Sequence, residues 1–139
     1  MSSNTPNKIA PIAIGYWKSD SEPDLPDPEK FIAYNIANTD RQLLLKYLAH
    51  GTRFMSYLGY SFCRFQCGIG DSEMGASCFT DGKYVWPEGL SHYITQHNVW
   101  LPKAFITHVI DNSTNNLSSI DLTKMTLHDY TWWKEQQGC

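Results

Sequence analysis

Long apolar runs are missing from this 139-residue chain, and none reaches the 18 to 20 residues or so that a transmembrane helix requires. A membrane span is therefore not expected. The patch from Ile9 to Ile14 is broken by Pro11 and is too short for the apolar region of a secretory signal, so the sequence predicts a cytoplasmic protein. Positive charge is also scarce. Eleven Lys and Arg stand against fourteen Asp and Glu, giving −3 with neutral His. The basic residues are scattered, so no footprint for nucleic acid forms. Absent too are a G-x-G-x-x-G or P-loop stretch, an H-E-x-x-H helix and a G-x-S-x-G elbow, which removes the usual sequence support for nucleotide binding, metalloprotease chemistry and serine hydrolysis. No internal repeat or low-complexity tract divides the chain, and its length matches one domain, 1–139.

Aromatic residues are over-supplied. Five Trp, eight Tyr and six Phe accompany a charged fraction of 18%, below the roughly 25% of an ordinary domain. The segment 19–28, SDSEPDLPDP, has no apolar face and reads as a surface loop, as does the polar, turn-rich segment 111–119. Asp27-Pro28 resembles a cap followed by Pro at the first position of a short helix through PEKFIAYNIA. Thr39 and Gln42 form a capping-box pattern ahead of Leu43, Leu44, Tyr47 and Leu48, with Gly51 at the expected end of this second helix. RFMSYL and YSFCRF are strand candidates around Gly59, and Asp81-Gly82 between SCFT and KYVW predicts a hairpin with a type I′ turn. Pro87 and Pro102 are expected to open two further helices, and Thr126 with Asp129 to cap a last one, LHDYTWWKEQQ. The expected fold is α+β: a small antiparallel sheet of three or four strands packed with four to five short helices.

Three of the four cysteines, Cys63, Cys67 and Cys78, fall close together, and Cys139 lies far from them. In a reducing compartment such a cluster points to metal or thiol chemistry before disulfides. The pattern Cys63-x3-Cys67-x24-His92-x4-His97 supplies two thiols and two imidazoles, the donor set of a tetrahedral zinc site. Five helical positions turn through about 500°, so His92 and His97 can share an ion only if the helix ends or unwinds near Gln96. Cys78 is a competing ligand. With only three ligands, an open position could carry an activated water, with Glu88 as general base one turn before His92. A thiol nucleophile assisted by His92 or His97 and by Asp81 can also be written, although no local signature supports it. Against these stands simple packing, since cysteine is commonly buried as a small apolar residue. Trp86, Glu88 and Tyr93 are further candidates to line a ligand pocket or a partner-binding patch.

CRFQCG, Met74-Gly75, TDGKYVWPEGLSHYI and HNVWLPKAF together resemble small bacterial proteins of unknown function that carry C-R-x-x-C, T-D-G-x-Y/W-x-W-P-E-G-L-x-H-Y and H-x-V-x-L-P segments. The resemblance runs from about Gly59 to His108, with weaker similarity at Gly15-Tyr16-Trp17. It implies that these segments form one unit and carries no reaction with it. The expectation is a cytosolic, zinc-stabilised binding protein of the inhibitor or immunity type. Its partner would be another protein, with a small-molecule ligand left open; the alternative is a small metal-dependent hydrolase using Glu88.

Overall fold

β-Branched and aromatic residues in short runs build one sheet in the computed structural model, which describes residues 8–56, 62–70, 74–114 and 120–139. Its strands are β1 (Ile12–Ala13), β2 (Thr52–Ser56), β3 (Ser77–Thr80) and β4 (Tyr84–Pro87), in the order β1-β4-β3-β2. β2, β3 and β4 pair antiparallel, whereas β1 runs parallel to β4. The sheet is thus mixed, with a parallel strand the sequence did not predict. β1 is not left as an open edge, because Ile9 bridges Met125 and Ile12 bridges Asp129 on its other side. The helices are α1 (Asn38–Ala49), α2 (Leu90–His97), α3 (Lys103–Asp111) and the short α4 (Thr131–Lys134), with 3-10 turns at Pro28–Phe31 and Leu122–Lys124. The fold is α+β. Among the described residues, no helix is long and apolar enough to cross a membrane.

The aromatic surplus goes into the core. Phe31, Trp86, Phe105 and Trp133 are fully buried, and Trp17 meets Phe31 and Trp133 edge to face at centroid separations of 5.1 and 5.2 Å. Such pairs contribute about 0.5–1.5 kcal/mol each beyond their buried area.

Several local expectations yield to tertiary pairing. PEKFIAYNIA makes only the 3-10 turn, because Phe31 O and the Ala33 N–H are taken by Trp100 and Asn98 and Ile32 bridges Val99. α1 starts at Asn38 with no side-chain cap, so Thr39 lies inside it, and it ends at His50. Gly51 serves a different purpose: a Cβ there would lie 2.6 Å from Trp86 Cζ2. Cys63 to Gln66 form a turn where a strand was expected, with the Gln66 N–H on Cys63 O at 3.0 Å; residues 57–61 lie outside the described set. At the β3–β4 connection Gly82 has φ of +97°, but Asp81 does not take positive φ and the turn is not type I′. Its carboxylate instead accepts the N–H groups of Lys83 and Tyr84. Pro87 ends β4 rather than opening α2, whereas Pro102 does cap α3. The last helix shrinks to four residues because the preceding segment is drawn against Pro11 and Ala13.

Candidate metal centre

α2 presents both histidines. It ends one residue past Gln96, at His97, as the spacing of the histidines requires, and Asn98 adopts the left-handed conformation (φ 56°, ψ 26°). The N–H groups of Asn98 and Val99 both return to Tyr93 O, closing the helix end. The rotation between positions 92 and 97 is bridged by side-chain reach: the rings lean together at 73°, and their Nε2 atoms are 3.3 Å apart. The thiols come from the loop ahead of β3. Gln66 at φ 52° turns the chain between the two cysteines, and Gly68 at φ 88° turns it again just after Cys67.

Cys63 Sγ lies 3.3 Å from His97 Nε2 and Cys67 Sγ lies 3.3 Å from His92 Nε2. One ligand atom from each of the four residues falls within 4.8 Å of every other, so the group could hold a metal ion. Bond lengths of about 2.0–2.1 Å to nitrogen and 2.3 Å to sulfur make the edges of a zinc tetrahedron about 3.3 to 3.8 Å long. The three contacts of 3.3 Å are close to that spacing. Cys63 is buried, and this burial, with Cys67 beside it, pushes its thiol above the ordinary range; burial likewise lowers His97. A cation would reverse the thiol's preference by stabilising thiolate.

The ligands rest on a second layer that sequence reasoning did not assign. The Tyr93 hydroxyl, between the histidines, accepts the Arg64 N–H at 2.9 Å and donates to Phe62 O at 3.3 Å. Phe65 stacks on the His97 ring at 4.4 Å. The Arg64 guanidinium donates to the carbonyls of Phe62, Lys18 and Trp17 at 2.7, 3.3 and 3.3 Å. The signal for these roles is position: Arg64 and Phe65 lie between the two cysteines and Tyr93 between the two histidines.

Other candidates fall elsewhere. Cys78 is buried in β3 with Ala13 and Val85, outside the cluster, and Cys139 Sγ lies 3.5 Å from Phe31 O. Asp81 is not near the thiols in any hydrogen bond; it receives the Tyr47 hydroxyl and, at 2.8 Å, His108 Nε2. Trp86 is core, with its indole on Leu48 O and its ring against Tyr47 and Phe105. Glu88 and Tyr93 both line a cavity of about 250 Å³ that none of the four thiol and imidazole residues lines. There Glu88 Oε1 accepts the N–H groups of Ala76 and Ser77, both at 3.2 Å. No known family, curated protein or solved structure matches the chain.

Proposed function

We propose that this chain is a small zinc-stapled binding protein, in which Cys63 Sγ, Cys67 Sγ, His92 Nε2 and His97 Nε2 hold one zinc ion that ties the loop 62–70 to α2. The observation that carries this reading is the convergence of those four atoms within 4.8 Å. Two thiolates and two neutral imidazoles suit zinc in charge and softness, and two thiolates cancel its double charge. Four protein ligands complete the tetrahedron and leave no position for an activated water. Glu88 is engaged by two backbone amides in a cavity apart from the ligands, which speaks against a hydrolase in which it activates metal-bound water. A closed centre flanked by a cavity walled by Arg64 and Tyr93 fits a binding role, with the ion fixing one wall.

Elemental analysis of untagged protein, paired with the visible spectrum of cobalt-exchanged protein, tests the metal. One zinc per chain and a tetrahedral cobalt spectrum lost in Cys63→Ser are expected. Protein that is purified metal-free, with the exposed Cys67 thiol reacting freely in the native state, would overturn the assignment.

A further inference from the structure

We propose, building on the zinc-stapled reading for the placement of Arg64 and Tyr93, that the cavity beside the metal centre binds a small organic ammonium group. At about 250 Å³ it falls below the roughly 300–1,000 Å³ of sites for drug-sized ligands, so its occupant is small. Its wall gathers Tyr16 and Trp17 from the chain after β1, Glu22 from the acidic loop, Glu88 from the β4–α2 junction, Tyr93 from α2, and Tyr130. Four aromatic side chains thus accompany two carboxylates. The remaining charge is Arg64, whose guanidinium is turned to three backbone carbonyls and lies 4.2 Å from the Phe62 ring centroid.

Two negative groups and one positive leave the lining one unit negative. A bare anion would meet both carboxylates. A neutral apolar molecule would displace water from these exposed carboxylates and return no charge. An ammonium group matches the carboxylates with its charge and the aromatic wall with its carbon substituents. The wall is also preorganised. Trp17 is wedged between Phe31 and Trp133, the Tyr93 hydroxyl is fixed by the Arg64 N–H, and Glu88 is held by the amides of Ala76 and Ser77. Gly75, at φ 78°, permits this last contact, since a Cβ there would collide with the Glu88 carboxylate. Rigid walls reduce the ordering that binding must impose.

The same ammonium chemistry is offered by a free amine and by a lysine side chain of a partner polypeptide. Zinc-loaded protein titrated with n-butylammonium chloride, and separately with the peptide acetyl-Gly-Lys-Gly-amide, distinguishes them, with 1-pentanol and butyrate as neutral and anionic controls. The readout is the amide and indole N–H resonances of Trp17, Gly75, Gly89 and Tyr93. Saturable shifts with a cation and none with the controls are expected, and the tighter of the two cations identifies the source. Glu22→Gln and Glu88→Gln should each weaken binding about two- to fivefold; Glu88→Gln keeps an acceptor oxygen for Ala76 and Ser77. Equal binding of pentanol, no response to either cation, or unchanged affinity in both variants would overturn the assignment. Zinc content measured on the same sample separates the two readings: loaded protein that ignores both cations refutes the cavity alone, and zinc-free protein that binds them refutes the metal alone.

Discussion

Two polar clusters lie in this fold, and they differ in what could complete them. Around Asp81, whose side chain is 1% exposed, the protein supplies every partner: the Tyr47 hydroxyl from α1 and His108 Nε2 from α3 reach one oxygen, and the Lys83 and Tyr84 N–H groups reach the other. Burial, then the hydrogen bond to Asp81, keeps the Tyr47 hydroxyl protonated well above the ordinary tyrosine range, so it remains a donor. In the cluster that α2 shares with the thiol loop, two sulfurs and two ring nitrogens, all capable ligand atoms, fall within 4.8 Å of one another. Four such groups are satisfied by a cation better than by each other. The first cluster is a structural device made wholly of protein. The second could be completed by an ion, and residues 62–70, which carry its two thiols, form no strand or helix.

Removing each cluster in turn sharpens this contrast. A structural zinc present at a thousandfold its Kd contributes about 4 kcal/mol. At about 3 °C per kcal/mol for a chain of this size, a strong chelator should lower the melting temperature by about 12 °C. Asp81→Asn keeps the shape but sets an amide donor among groups that donate, and should cost about 3 kcal/mol while leaving zinc content unchanged. Because the clusters share no residues, the two losses should add within about 0.5 kcal/mol. Calorimetry of both proteins with and without chelator checks this, and a chelator effect that vanishes in Asp81→Asn would show that the clusters are coupled.

The contrast also explains what the sequence discloses. Cys63, Cys67, His92 and His97 stand out because ligand spacing is a local code, two residues per element. Tyr47, Asp81 and His108 do not, since they are 34 and 27 residues apart and each has an ordinary local reading: a helix-face aromatic, a turn aspartate, a helical histidine. α1 is legible from the spacing of its apolar residues. β1 is not, because two residues after a proline become a strand only through β4 and the segment at Asp129. Trp86 was misleading for a related reason: strand alternation gives its face but not whether that face meets a cavity or the core.

A third histidine site refines the comparison with a smaller effect. His128 stacks on Tyr16 at 5.3 Å, bonds the Tyr130 hydroxyl through Nε2 at 2.7 Å, and has a buried Nδ1 with no hydrogen-bond partner among the described residues. Burial lowers its basicity. The native state therefore binds this proton less readily than the unfolded chain. Its contribution is fully present above the ordinary histidine value of about 6.5 and is lost as pH falls below it. With zinc in excess, the natural protein should lose stability relative to His128→Phe from pH 7 to pH 5 in denaturant titrations. A gap that stays constant would mean His128 titrates alike in both states.

The smallest effect expected lies in the thiol loop and probes whether the ion imposes its shape. Gln66 adopts φ 52°, a conformation that costs a side-chain-bearing residue about 1–2 kcal/mol but costs glycine almost nothing. Glycine also loses more freedom on ordering, so Gln66→Gly should yield a net gain of only about 0.5 kcal/mol. That gain requires the loop to be held in this conformation. If the metal holds it, the variant should be more stable than the natural protein with zinc bound, and the advantage should disappear or reverse with chelator, where only the entropic penalty of glycine remains. An equal gain in both conditions would show that the turn from Cys63 to Gly68 is set by Arg64 and Tyr93 rather than by the ion.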